Sequence, residues 1–367
     1  MGNVGFIITL YYNKMLNDSE FDKTKIYEQL EYLPKPQGYN KNIPWTVQQQ
    51  ISATNGIQYG DIVGKLDTYP EYNLPVKSVS GNKLMLDIGC GWGRWLVAGA
   101  KKGYIPIGID IRLEFCKTAK QTLAHFNQNG YTCVADLQHL PFIDGILDLV
   151  WSFSVIQHTH KQRLTSCLNH INRILKPNGY TYLEFPNKQG IRNSLGPAKK
   201  FHKEQDDINS WDVRYYTVEE YKTLFTSIFN TFDYDNHSFI GIGVLPEDLK
   251  YVSTKYKLIC GTSLFYSWFA DRLSFMKKYS DSIFIKAESQ IKQAPASSIT
   301  ALENFWKAHQ QNPIDNLNLV HLLRCPISNT AVELSEDKTK IISPSISKFY
   351  PINDTIPIMI ASEAISL

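Results

Sequence analysis

The sequence predicts an α/β protein built on a doubly wound, seven-stranded, mostly parallel sheet with helices on both faces. Three observations carry this. From position 84 onward, short apolar runs alternate with helical patterns, as in parallel sheets with right-handed crossovers. The first run leads into a helix through a glycine-alternating turn, Gly89-Cys90-Gly91-Trp92-Gly93. Aspartates mark the first three run ends, at Asp87, Asp110 and Asp136, where ligands of doubly wound sheets bind.

Taken in order, residues 1–80 are polar and aromatic and are punctuated by Pro34, Pro36, Pro44, Pro70 and Pro75, with weak helical patterns over 22–33 and 46–65. Strands are expected over 84–88, 105–109, 131–135, 147–151 and 179–184. A helix over 217–229 would present Val218, Tyr221, Leu224, Phe225 and Ile228 on one face, with Thr217 and Glu220 as its capping box. A sixth strand is expected within 232–242, helices within 246–280 and a seventh strand over 282–287. Residues 291–315 surround a predicted helix at 298–310 and read as a connector between domains.

The chain's 367 residues, 43% of them hydrophobic, suffice for one domain of ordinary size with additions. With 38 basic and 35 acidic residues the net charge is +3, which makes no electrostatic case for a nucleic acid or a membrane. The apolar run at 5–12 is too short to span a bilayer. Six cysteines, with no C-x-x-C pair, read as the reduced thiols of a cytoplasmic protein.

Glycine loops between a strand and a helix let backbone N–H groups approach a ligand. Here the spacing is D-x-G-x-G-x-G; the dinucleotide fingerprint G-x-G-x-x-G fails at Arg94. The stretch KLMLDIGCGWGRW at 83–95 resembles motif I of the class I S-adenosylmethionine-dependent methyltransferases. The run ADLQHLPFIDGILDLVWSFSVIQH at 135–158 resembles that family's stretch from its adenine contact to the end of strand four. LKPNGY at 175–180 is similar to its "LKPGG" turn, with Asn178 in place of the first glycine, a residue that tolerates the left-handed conformation. The resemblance implies S-adenosylmethionine as cofactor and assigns its binding to Asp87, Gly89, Cys90, Gly91, Gly93, Asp110, Ile111, Asp136, Leu137 and Ser152. Asp110 would hold the ribose hydroxyls, and Asp136 with Leu137 the adenine. Residues 1–80 would be an N-terminal cap that helps choose the substrate, or simply a helical layer on the sheet.

Methyl transfer is an in-line displacement, so the protein must position a nucleophile and, where needed, take its proton. His158, after strand four, is the candidate catalytic residue, with cofactor or substrate contact or a structural role as alternatives; His160 reads as solvated. Glu184, Arg214 and Tyr215 are candidate substrate contacts, with Trp211 and Tyr216 beside them. The cluster Lys199, Lys200, His202 and Lys203 reads first as a solvated loop face. No ligand spacing for a metal is present.

The tail carries a second resemblance. HLLRCP at 321–326 and KFYPINDTIPIMI at 348–360 resemble the small activator family that partners tRNA, ribosomal and translation-factor methyltransferases, and its bacterial relatives. Many members bind zinc through four cysteines; here only Cys325 stands and Ser328 takes the second place, so a zinc-less version is expected. The resemblance implies a small C-terminal α+β domain at 316–367 packing in cis on a methyltransferase domain at 81–290, by edge-strand pairing. Together these readings predict methyl transfer to a small-molecule, glycan or lipid-precursor acceptor, with no membrane span and nucleic acid not favoured. The alternatives are a tRNA, rRNA or protein methyltransferase with an activator in cis, and a non-catalytic cofactor-binding scaffold.

Overall fold

A computed structural model describes residues 38–55, 59, 64–195, 212–241 and 243–367. The apolar run at 5–12, the predicted helix at 22–33, the Lys199–Lys203 cluster and Trp211 lie outside the described residues. Among the described residues the helices are α1 (Trp45–Thr54), α2 (Arg94–Lys101), α3 (Leu113–His125), α4 (Lys161–Ile174), α5 (Ile191–Leu195), α6 (Val218–Thr226), α7 (Thr254–Arg272), α8 (Ser274–Lys277) and α9 (Ala296–Gln311). The strands are β1 (Leu84–Ile88), β2 (Ile105–Asp110), β3 (Tyr131–Ala135), β4 (Leu147–Ser152), β5 (Leu175–Pro186), β6 (Asp233–Ser238), β7 (Ser282–Glu288), β8 (Glu333–Leu334), β9 (Lys340–Ser343), β10 (Lys348–Asn353), β11 (Ile356–Met359) and β12 (Ile365–Ser366).

The first seven strands stand in the order β6-β7-β5-β4-β1-β2-β3. Pairings along β3-β2-β1-β4-β5 are parallel, and β7 runs antiparallel between β5 and β6. The chain leaves β1 toward β3 and returns to β4 on its other side. The β1/β4 boundary is therefore the topological switch point, where doubly wound sheets bind ligands.

Alternation along β1 sends Leu84, Leu86 and Ile88 into one core with Ile107, Ile109, Leu164 and Leu168, and Met85 into the other with Trp92, Trp95, Trp151 and Phe284. Asp87 shares Met85's face. Onto that second face the segment before β1 lays Ile43, Val47, Ile51, Tyr59, Tyr69 and Tyr72, all buried. Within the helical pattern expected over 46–65 the described helix is α1. It ends before Asn55-Gly56, a helix-stop dipeptide, and Asn55 turns its side chain inward.

The predicted turn at Asn178 lies inside a strand. β5 begins at Leu175, bulges between the pairs Leu147↔Leu175 and Leu149↔Tyr180, and continues to Pro186, with Asn178 at φ 61°. The capping box of α6 forms as the spacing requires: Glu220 N donates to Thr217 Oγ1 (3.2 Å) and Thr217 N to Glu220 Oε2 (2.6 Å).

The strand count needs a correction. The sheet continues past β3, because β11 pairs with it in parallel, Ile358↔Val134 and Met359↔Ala135. β10, β9 and β8 follow antiparallel, β12 pairs with β10, and the whole has twelve strands. β3, at the edge of the first seven strands, would otherwise leave its outer backbone groups unpaired. Residues 291–315, expected to connect two domains, carry α9, whose Ala301 and Phe305 are buried in the main core with the Phe305 ring 5.2 Å from Tyr131. Leu319, Leu322, Leu323 and Cys325 enter the same core. Beside Cys325, Ser328 lies within hydrogen-bond distance of Thr330 (2.8 Å) and Ser345 (3.1 Å), so hydroxyls link this part of the tail.

Candidate active site

The glycine loop is fixed from below by two bonds: Gly89 N and Cys90 N both donate to Ile109 O, at 2.8 and 2.9 Å. Gly89 and Gly93 have φ of 75° and 91°; a Cβ on Gly89 would lie 2.3 Å from a Val155 methyl, and one on Gly93 2.9 Å from Ala119 Cα. Only glycine fits either place. Asp110, at the end of β2, accepts from Gly91 N through Oδ2 and from Arg112 N through Oδ1, each at 3.2 Å. Burial pushes its carboxyl up to about 6 against those donors. Ile111, next to it, is 40% exposed.

Asp136 caps the short 3-10 turn Leu137–His139, accepting from Gln138 N at 2.9 Å, and Leu137 is buried behind it. Ser152 Oγ donates to Ile88 O at 3.1 Å and ties the end of β4 to the end of β1. Thus the residues assigned to the cofactor line the ends of β1, β2, β3 and β4 and the glycine loop after β1.

Asp87 is the anomaly of the site. It is fully buried, and neither of its carboxylate oxygens has a hydrogen-bond partner. Burial pushes its carboxyl up to about 8; the Arg94 charge opposes this and that of Asp110 adds to it. An unpartnered buried carboxylate is costly unless a cation or donor meets it.

Arg94, which the sequence used only to reject a dinucleotide motif, sits at the centre. Its guanidinium carbon lies 5.4, 5.3 and 5.0 Å from the rings of Tyr72, Trp95 and Phe153, within cation–π range. Its Nη1 donates to Asn55 Oδ1 (3.2 Å), which also accepts from Trp92 Nε1 (3.1 Å). Asn55 Nδ2 in turn donates to Tyr72 Oη at 2.5 Å, and both Tyr72 and Tyr59 donate to Asp248 Oδ1. A polar chain therefore runs from the loop through the segment before β1 to the 3-10 turn Pro246–Lys250. His237, on β6, packs edge-on against Phe153 and Phe284 at 5.1 and 4.6 Å. Burial, with the Arg94 charge, brings its imidazole down to about 4, so it is neutral at physiological pH. Asn55, Tyr72 and His237 escaped sequence reading because none lies in a motif; the segment's tyrosine content was the one trace of them.

The predicted substrate residues have structural partners. Glu184 is buried; it accepts from Ser154 N and Oγ, both at 2.9 Å, and from Ser282 Oγ. Burial raises its pKa, and those bonds hold the turn after β4, where Ser154 adopts φ 58°. His158 ends the 3-10 turn Ile156–His158; its Nε2 lies 3.4 Å from Gln157 Nε2, and its carbonyl accepts from Arg214 Nη1 at 2.8 Å. Arg214 is buried and also donates to Asp212 O (2.6 Å). Its neighbour Tyr215 has its pKa raised by burial. His160 caps α4, its Nδ1 accepting from Gln162 N at 3.3 Å. Among the described residues no group of three or more His, Cys, Asp or Glu side chains could hold a metal ion, and all six cysteines are free and buried. Among the described residues no helix is long and apolar enough to cross a membrane.

The chain is similar in sequence to known proteins. A family described as "Methyltransferase domain" matches residues 85–179. An uncharacterized protein of Methanocaldococcus jannaschii is 31% identical over 139 residues, 37% of this chain, and the chain spans 56% of that relative's length. A malonyl-[acyl-carrier protein] O-methyltransferase of Buchnera aphidicola is 26% identical over 193 residues, covering 48% of this chain and 73% of that one. A UPF0434 protein of Ectopseudomonas mendocina is 48% identical over 52 residues, covering 14% of this chain and 85% of that one, and corresponds to the tail. Residues 85–179 are thus a methyltransferase domain, of the S-adenosylmethionine-dependent kind, and the tail belongs to the family of UPF0434 proteins.

Proposed function

We propose that the protein transfers a methyl group from S-adenosylmethionine to a small-molecule, glycan or lipid-precursor acceptor. The observation that carries this is Asp87, a buried carboxylate with both oxygens unpartnered at the switch point. A ligand bringing an ammonium group to it, and a carboxylate toward the Arg94 guanidinium, would satisfy both. S-adenosylmethionine has both groups at one end. Asp110 would accept from the ribose hydroxyls, and Asp136, Leu137 and Ile111 would border the adenine.

When bound, the cofactor supplies an electrophilic methyl group; the chain's own residues must orient the acceptor and keep water out. The aromatic wall of Tyr72, Trp95, Phe153 and Phe284 suits exclusion of water. His237, held neutral, suits hydrogen bonding to an acceptor better than taking its proton. His158 remains the candidate base, held by the Arg214 bond to its carbonyl. The described residues before β1 serve as a cap over the site, supported by the bonds of Asn55 to the loop. The tail acts in cis by completing the β3 edge, and the six free, buried cysteines suit a reducing, cytoplasmic setting.

The test has two parts. S-adenosylmethionine and its demethylated product should both raise the melting temperature, and Asp110→Ala should weaken that binding by about tenfold through lost charge-assisted bonds. No shift with either ligand at saturation would refute the cofactor assignment. Isotope-labelled methyl transfer into cell extract fractionated into small molecules, lipids, RNA and protein then identifies the acceptor class; label in RNA or protein alone would overturn the proposed acceptor.

A further inference from the structure

We propose that α7 and α8 form a docking surface for an anionic lipid bilayer. A helix laid on a globular core ordinarily points its large apolar side chains inward. In α7 this is reversed. Its protein-facing side is small: Cys260, Ser263 and Ala270 are buried, Ser263 Oγ accepts from Ile240 N at 3.0 Å, and Ser267 Oγ from Phe239 N at 3.3 Å. The large side chains face out. Leu258 is 69% exposed, Phe265 58%, Trp268 49% and, on α8, Phe275 64%, with Leu264 and Leu273 exposed beside them. Leu258, Phe265 and Trp268 recur at helical spacing, so they fall on one outward side of α7. An apolar surface of this extent marks an interaction site.

Charge selects the occupant. The protein is close to balanced as a whole, but residues 254–279 hold five basic residues, Lys255, Lys257, Arg272, Lys277 and Lys278, against one acid, Asp271. Lys277 is paired with Asp235 at 3.5 Å; Lys255, Lys257, Arg272 and Lys278 are exposed around the apolar side chains. Arg272 lies 3.7 Å over the Trp268 ring, a cation stacked on an indole at the border of the patch. Exposed leucines and phenylalanines ringed by lysine and arginine, with tryptophan and tyrosine among them, match the boundary between lipid headgroups and acyl chains. A second copy of the chain fits poorly, because a two-fold contact would bring basic residues together with one acid per copy to answer them. RNA fits poorly as well, since the leucines offer nothing to a base or a phosphate.

The patch also lies at a particular end of the fold. β6 is parallel to β5, because each pairs antiparallel with β7. Its carboxyl end therefore lies at the same rim as the ends of β1 and β4. α7 grips the two residues just beyond that end, Phe239 and Ile240, and His237 of the same strand lines the site. A bilayer bound here lies beside the rim that carries the site. The inference rests on α7 and α8 and stands whatever the site catalyses.

Co-sedimentation of the full chain with vesicles tests it. Binding to phosphatidylcholine vesicles containing phosphatidylglycerol should exceed binding to phosphatidylcholine alone by about tenfold, and high salt should remove the difference. Phe265→Ser with Trp268→Ser should weaken it by about tenfold or more, and Lys255→Glu with Lys257→Glu by a similar factor. All four side chains are outward, and an unchanged melting temperature confirms that the variants fold. Absence of binding to either vesicle overturns the proposal, as does equal binding by wild type and the Phe265/Trp268 variant. Light scattering that shows a dimer dissolved by that variant, or RNA binding lost in it without vesicle binding, assigns the patch to another partner and overturns it as well.

Discussion

The carboxyl rim of β1 leaves a buried ionisable group without partners, whereas the seam between β3 and β11 meets its buried backbone groups, with only the neutral Thr132 hydroxyl there left unpartnered. At the rim, Asp87 keeps two oxygens without partners, and His237 is held neutral beside the Arg94 charge. At the seam, one side chain answers several backbone groups: Asn316 accepts from Thr132 N (2.8 Å) and donates to Thr132 O and Thr355 O, both at 2.9 Å. Asn316 thus extends the β3–β11 pairing by one step where the strands themselves no longer meet. The contrast teaches how to tell a joint from a site. A joint satisfies its buried backbone groups from within the chain. A site leaves a buried ionisable group unsatisfied, at a cost in stability, for a ligand to satisfy.

The largest effect expected from this comparison is on the seam. Removing residues 316–367 strips the β3 edge, takes Leu319, Leu322, Tyr350 and Met359 out of the core and bares Tyr131 and Cys133. The truncated chain should be insoluble or aggregated, read by expression and size-exclusion chromatography. A soluble, fully stable truncation would show that the tail is a separate unit resting on the sheet.

Next in size is Asn316→Ala. It deletes three hydrogen bonds and leaves the buried Thr132 backbone groups unmet, so the expected loss is about 2–4 kcal/mol, read from the urea midpoint. Cofactor affinity, measured where the variant is folded, should not change. A loss under about 0.5 kcal/mol would mean that water replaces the side chain and that the seam is wet.

These two regions were also unequally visible in the sequence. Asp87, Gly89, Gly93, Asp110 and Asp136 are legible because each belongs to a local pattern, a strand end or a turn that needs a positive φ. Arg94 was read past because its role comes from Asn55, Tyr72, Phe153 and His237, which approach it from four separate parts of the chain. Edge-strand pairing of the tail was anticipated through its resemblance, without its partner strand or register, but local periodicity could not show that α9 would join the same core. α7 misleads in the other direction. Its apolar composition reads as a core helix, and only the small side chains Cys260, Ser263 and Ala270, spaced on one side, tell which face is inside.

The smallest predicted effect has the opposite sign and bears on the rim. The Asp87 carboxyl, at about 8 in the fold against an ordinary 3.8, favours the protonated form when folded. Its contribution is therefore fully present below the ordinary value and is lost as pH rises from about 4 to about 8. Without ligand, Asp87→Asn should match wild type at pH 4 and be more stable at pH 8 by roughly 1–3 kcal/mol, since it has no buried charge to accommodate. With S-adenosylmethionine the order should reverse, because wild type gains the ligand's cation and the variant does not. Melting temperatures of both proteins across that pH range, with and without ligand, measure both halves. A variant that is less stable than wild type at pH 8 without ligand would mean that Asp87 is satisfied from within the chain. The rim would then be a joint like the seam, and the cation-binding role of Asp87 would fall with it.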